Sequence, residues 1–309
     1  MVSSSVNLLG LTVFISCIGI LGNVFLIFAI LQTKLSRVKS FELFLLGLAA
    51  ANLEEILIVN IYDIIINQAS FNTTIGTWSC RTLKFLTVFG EIGSILFTVL
   101  ISIFRYQKLR NATKRVNLSI FLDSIRPAWM VSGVCVMLSM LLSIPIFVIS
   151  PEGPAGNTTR NITGCPPDFF QCSQNDCPIL NRCYKYLFLL VCNLLPLIIV
   201  TATSVLIISV LLRQRRTVQQ VESVSGSCQF SRKSKDSKLQ RSTVAVLAAM
   251  GLFQVDWSLY LIFHLTSSPT DFPLWAEMEF FIATSYTSIS PYVYGIGTSL
   301  FSLKNLTKK

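Results

Sequence analysis

Five carboxyls stand in stretches that are otherwise apolar: Glu54, Glu55, Asp63, Glu91 and Asp256. Few bases are placed to meet them, chiefly Lys84, Lys185 and His264. Two chemistries are open to such acids. Either they are neutral, hydrogen-bonded structural groups, because burial disfavours the charged form, or Glu91 stays ionised and pairs with a cationic group of a ligand. A fixed cation stands further along the same segment, where Arg105 follows the apolar run of "LFTVLISIFRYQKLRN". Catalysis fits these residues poorly. His264 is the only histidine, which excludes two-histidine metal motifs, and no Gly-x-x-x-x-Gly-Lys phosphate loop occurs. No catalytic residue, metal ligand or cofactor is expected.

The elements that must position these groups follow from composition. Of 309 residues 52% are hydrophobic and 13% charged, against about 25% charged in a soluble domain. Apolar windows of about 20 residues, the length that crosses a bilayer core, recur at about 8–31, 41–66, 80–106, 127–149, 185–212, 239–265 and 273–299. The expected fold is an all-α membrane protein, one seven-transmembrane helix bundle over 1–309. The first span has neither a basic n-region nor a cleavage site before it, so it does not read as a signal peptide. A secondary transporter would show inverted repeats and broken helices, and neither is visible.

The net charge of +10 could suggest nucleic acid, but its distribution points to a membrane. Lys and Arg crowd into alternate loops and the tail, while 67–79 and 266–272 contain none. The positive-inside rule therefore places the N-terminus outside and the C-terminus in the cytoplasm. Cys80, Cys165, Cys172, Cys177 and Cys183 fall in or beside predicted outside loops, as do the sequons at Asn72, Asn157 and Asn161. Those three are the expected glycosylation sites. Sequons at Asn111, Asn117 and Asn305 fall on the cytoplasmic side and should stay unmodified.

The third span carries the polar groups in register. At 1.5 Å per residue, Cys80 and Arg105 are about 37 Å apart, and Thr87, Glu91, Ser94, Thr98, Ser102 and Arg105 stay within roughly 60° of one face. A charge in the bilayer centre costs at least about 2.5–3.5 kcal/mol, so this stripe must face the bundle interior.

Motifs in the other spans agree. Asn23 in "ILGNVFL", Asn52 in "LAAANLEE", Phe104-Arg105-Tyr106, Trp129, Pro196, the Phe253–Trp257 spacing and Ser290-Pro291-Tyr292-Val293-Tyr294 occur in the order of the rhodopsin-like G-protein-coupled receptors, which the whole chain resembles. "LISIFRYQKLRNAT" and "SISPYVYGIGTS" further resemble the vomeronasal type-1-like olfactory receptors of fishes. The resemblance implies a plasma-membrane chemosensory receptor that binds a small odorant or pheromone in the outer half and activates a heterotrimeric G protein, with lipid as its other partner. A bitter-taste or peptide receptor is the alternative. A retinal opsin is excluded, since 273–299 contain no lysine for a Schiff base.

By the same resemblance Arg105, Tyr106, Pro291 and Tyr294 belong to activation and G-protein coupling. Thr87, Glu91, Asp63, Glu55, Asp256, Trp257 and Tyr260 are the candidate ligand contacts. Cys80 is expected to pair with a cysteine of the second outside loop, Cys172 or Cys177. Phe169 and Phe170 either cap the pocket or only pack on the bundle. The chain also departs from its family. Asn52 and Ser290 replace groups that help hold sodium, Leu259 stands at the place of the sixth-helix proline, and Phe104 removes the acid beside the arginine.

Overall fold

A computed structural model describes residues 2–32, 39–68, 77–114, 121–149, 170, 178–222, 230–267 and 275–298. Every long element among them is helical. They are α1 (Val2–Leu31), α2 (Ser40–Gln68), α3 (Thr77–Lys114), α4 (Ile125–Ser143), α5 (Ile179–Phe188, a π-helical segment Leu189–Leu194, and Leu195–Glu222), α6 (Phe230–Thr266) and α7 (Trp275–Thr298).

Proline chemistry explains two local irregularities. Pro196 has no N–H to return to the preceding turn, and just before it the Leu195 N–H bonds the Leu190 carbonyl, five residues back. The extra residue is absorbed as the π-helical segment Leu189–Leu194. Pro145 likewise ends the regular part of α4, which tightens into a 3-10 turn over Ile144–Phe147. No proline stands at 259, and α6 runs unbroken for 37 residues. It starts at Phe230, well before the apolar window from about 239, and α5 continues to Glu222. Both extensions are rich in Arg, Lys and Gln, which are good helix formers.

Among the described residues six helices are long and apolar enough to cross a membrane. In the spanning window of α3, 72% of residues are buried, against 28–44% in the other five. This helix is the hub, packed on α2, α4, α5 and α6. The rest show large apolar side chains outward, Phe14, Leu21 and Phe28 on α1 and Trp129, Met130 and Met137 on α4 among them, as lipid contact requires. Among the described residues α7 is the helix that lacks such a window, and the reason is visible. Its inner face carries Thr284, Thr287, Ser288 and Ser290, all fully buried, so its polarity points into the bundle.

Candidate functional site

The interior face of α3 carries the predicted stripe. Thr87, Glu91, Ser94, Thr98, Ser102 and Arg105 are all at most 6% exposed. At its outer end Cys80 is buried and disulfide-bonded, while Cys183 is a free thiol. The two expected partners, Cys172 and Cys177, and the sequons at Asn72, Asn157 and Asn161 lie outside the described residues.

One level down, carboxyls from three helices converge. Glu55 of α2 and Glu91 of α3 lie within electrostatic reach of each other, and Glu91 also faces Glu279 of α7. The Tyr260 hydroxyl of α6 donates to Glu91. His264, one turn further out, pairs with Glu279 at 3.0 Å, both fully or almost fully buried. Aromatic rings enclose this pair. Tyr260, Trp275 and Phe170 lie 4.3, 5.2 and 5.8 Å from the His264 ring. Trp257 packs on Tyr260 at 5.1 Å.

The other candidate contacts are placed differently. Thr87 spends its hydroxyl on the Leu83 carbonyl of its own helix, 3.0 Å away. Asp256 is bonded to Ser285 of α7. The side chain of Asp63 lies outside the described residues. Of the two rings considered as a lid, Phe170 is 2% exposed and packs on Tyr184 and Phe188 of α5; Phe169 is outside the described residues.

Below Glu91 the stripe becomes a hydrogen-bond network. Ser94 donates to the Asn52 carbonyl oxygen at 2.7 Å, and the Asn52 amide donates to Ser290 at 3.1 Å and Asn23 at 3.4 Å. Asn23 in turn donates to the carbonyls of Gly19 and Thr287. Four helices are tied at one level by neutral side chains. A turn deeper, Thr98 and Tyr286 share a hydrogen bond of 2.8 Å, and Tyr286 bonds Tyr294. Pro291, inside α7, lies against α1, where a side chain at Gly22 would meet its ring at 3.0 Å.

Arg105 closes the stripe. Its guanidinium lies 3.5 Å from the Phe41 ring centroid and donates to the Ser242 hydroxyl of α6 at 2.7 Å. Phe104, at the place of the family's acid, is fully buried on Phe41 and Phe44 instead. Tyr106 is half-buried beside it. Sequence reasoning missed Ser242, Glu279 and the π segment. A count of acids in the seventh span would have found Glu279, and Pro196 carried a signal for the π segment. Ser242 gave none.

Among the described residues no group of three or more His, Cys, Asp or Glu is placed to hold a metal ion. Comparison with curated proteins finds no sequence match. Squid rhodopsin is a solved structure with the same fold, at TM-score 0.73 and 17% identity over 98% of this chain and 85% of that one. The family model described as 7 transmembrane receptor (rhodopsin family) matches residues 22–294. That span includes the Asn52 network, the Glu91 level and Arg105, and it shows that the chain belongs to the rhodopsin family of seven-transmembrane receptors.

Proposed function

We propose that this receptor is a chemosensory one, which binds a small organic odorant or pheromone in the outer half of the bundle and activates a heterotrimeric G protein. As a rhodopsin-family member it is a multi-pass protein of the plasma membrane and not an enzyme. The chemosensory part rests on the sequence resemblance to vomeronasal type-1-like receptors. One observation carries the mechanism: a single helix face runs from the buried carboxyl of Glu91 to the guanidinium of Arg105, and hydrogen bonds link it to α2, α6 and α7 along the way.

In this reading an agonist contacts Glu91, Glu55, Tyr260 and Trp257, with Thr87, Asp63 and Asp256 as further candidates, and favours one packing of α6 and α7 against α3. A ligand shifts such an equilibrium only by its differential affinity for the two packings. At the inner end the favoured packing moves Ser242 away from Arg105, whose guanidinium then turns to the G protein, with Tyr106, Pro291 and Tyr294 in the same activation region. A bridge from Cys80 to Cys172 or Cys177 ties the second outside loop over the ligand.

A screen of charged and neutral small molecules, read as nucleotide exchange on a purified G protein with surface expression controlled, tests this. An agonist that stimulates exchange supports it, and a membrane protein that never stimulates exchange in any packing defeats it. Glycosidase treatment should lower the apparent mass through Asn72, Asn157 or Asn161. Glycan on Asn111 or Asn117 would invert the topology.

A further inference from the structure

The seam between α5 and α6 holds a polar group at a depth where lipid offers it nothing. Gln254 stands in the middle of the spanning part of α6, Ser242–Thr266, twelve residues and thus about 18 Å from each end. That is the midplane of a bilayer core about 30 Å thick. Its side chain is half-buried. The amide nitrogen turns to two hydroxyls of α5, Thr201 Oγ1 at 3.3 Å and Ser204 Oγ at 3.4 Å. Each of these hydroxyls already gives its one proton to its own helix, to the carbonyls of Leu197 at 2.7 Å and Val200 at 2.8 Å. They can therefore only accept. The opposite orientation of the amide would set three oxygens together with no proton among them, so the network itself fixes the nitrogen toward α5. All donors run one way and leave an acceptor at the end. Gln254 Oε1 receives no hydrogen bond from a described residue and is not one of the buried atoms. It opens toward the hydrocarbon, where no water satisfies it and an unpaired amide oxygen is costly.

Beside this oxygen the surface is notched. Gly251 stands one turn inward of Gln254 on the same face of α6, and a Cβ built there would meet nothing within 4 Å. Close packing therefore does not account for the glycine, and helix propensity argues against it. On α5, Thr201, Val205 and Ile208 follow at spacings of four and three, hence on one face, and all three are exposed. With Thr201 bonded to Gln254 and the two helices antiparallel, Val205 and Ile208 run inward alongside Gly251. The result is a groove with apolar sides, a glycine floor and one hydrogen-bond acceptor at its outer end.

We propose that this groove is a binding site, entered from the bilayer, for a small neutral alcohol, whose apolar body lies beside Gly251 and whose hydroxyl donates to Gln254 Oε1. The class follows from what can carry a donor to the midplane. Phospholipid headgroups, and any amphiphile anchored among them by its polar end, lie about 15 Å away. An ammonium group is strongly disfavoured at this depth, and a carboxylate is both charged and without a donor. A hydrocarbon or an ether fits the groove but leaves the oxygen unpaired. A hydroxyl brings the one proton that is needed and no charge. A second copy of the chain is the other source of donors and fits less well, because a reciprocal pair of Gln254 amides would need the N–H groups already turned to Thr201 and Ser204. The site is separate from the ligand site proposed in the outer half and stands without it.

The test labels the seam directly. The full chain in lipid nanodiscs, one copy per disc, is photolabelled with 1-octanol carrying a diazirine in mid-chain, and with the methyl ether of the same molecule, which keeps the body and lacks the donor. Labelled positions are read by mass spectrometry of peptides. At equal membrane concentration the alcohol is expected to label 201–212 and 247–255 about 5-fold more than the ether, as one hydrogen bond inside a membrane protein implies. This comparison needs no variant. In Gln254→Leu, similar in size and without an acceptor, the two probes should label the seam equally. In Gly251→Leu the new side chain fills the floor, and both labels should fall. Thermal unfolding of each variant near the wild-type temperature separates loss of the site from loss of the fold.

No label in the seam, equal label from alcohol and ether in the wild type, or a preference for the alcohol that survives Gln254→Leu overturns the site. Discs that hold two chains test the other occupant. If Gly251→Cys bridges two chains there through a disulfide, and the wild-type chain loses the alcohol's label in such discs, the face belongs to a second copy and the proposal fails.

Discussion

From Ser94 to Arg105, each polar side chain on the interior face of α3 has a hydrogen-bond partner within the chain. One turn outward the pattern stops. Glu55 has no hydrogen-bond partner on either oxygen and Glu91 has one on a single oxygen. Both regions are equally buried, so exposure does not explain the contrast. The chemistry of the groups does. The inner region uses amides and hydroxyls, which donate and accept and can close a network among themselves. The outer region sets acid beside acid, and a carboxyl group brings one donor at most, so Glu55 and Glu91 cannot satisfy all four of their oxygens between them. A network that closes on itself ties α1, α2, α3 and α7 into a rigid unit. A buried oxygen left without a donor costs stability instead.

The largest expected effect lies at the end of the closed region. Arg105→Ala should reach the cell surface and lose most ligand-stimulated exchange, on the order of 30-fold, as for truncation of one partner in a buried, charge-assisted contact of about 2 kcal/mol or more. Full coupling in that variant would reduce Arg105 to an interfacial anchor whose long stem simply reaches the headgroups.

Next in size is a pair of stability measurements that sets the two regions against each other. Asn52→Ala removes the hub bonded to Asn23, Ser94 and Ser290. Each orphaned partner costs about 1–3 kcal/mol in soluble proteins, and membrane interiors give about 0.6–1.7 kcal/mol per bond. A loss of about 1–3 kcal/mol is expected in all, visible as an earlier thermal transition in nanodiscs. Glu55→Gln removes an acid with no partner and should leave the transition unchanged or later. Equal losses in the two variants would break the comparison, because they would mean that Glu55 is tied into the structure as firmly as Asn52.

What was legible in the sequence follows the same division. The span count and the inward face of α3 with Arg105 depend on hydropathy and helical period, which act locally and can be read residue by residue, whereas Asn52 and Tyr294 stand out through the resemblance of their motifs to the receptor family. Which groups meet across helices is not local. Sequence reasoning grouped Asp256 with Glu91 as candidate contacts, and the hydrogen bond of Asp256 to Ser285 of α7 is a contact between helices that the spacing within α6 does not announce. His264 was read only as one scarce base among several. Its pairing with Glu279 is a contact between α6 and α7 that no spacing in either helix announces. Thr87 has the right depth, but its hydroxyl bonds back to the Leu83 carbonyl, an option open to any helical threonine.

The smallest effect concerns Ser242, and it asks whether the inner region is closed in function as well as in geometry. No acid stands beside Arg105 in the chain, since residue 104 is phenylalanine. The restraint on the guanidinium is instead a neutral hydroxyl on α6 at 2.7 Å and an aromatic face on α2 at 3.5 Å. Hydrogen bonds to a charged group contribute about 1.5–3 kcal/mol when buried, but Ser242 is only half-buried, and water at the membrane edge can replace part of that. A loss of about 1 kcal/mol, hence about a 5-fold rise in the population with α6 released, is the expectation for Ser242→Ala. Ligand-free exchange should rise by that factor while the maximal stimulated rate stays near wild type, because Arg105 itself is intact. Phe41→Leu removes the ring and should act in the same direction, by about 0.5–1 kcal/mol. Since both contacts hold one guanidinium, the double variant should fall short of the product of the single effects. Unchanged basal exchange in all three would mean that α6 is held elsewhere, with the His264–Glu279 pair as the next place to look.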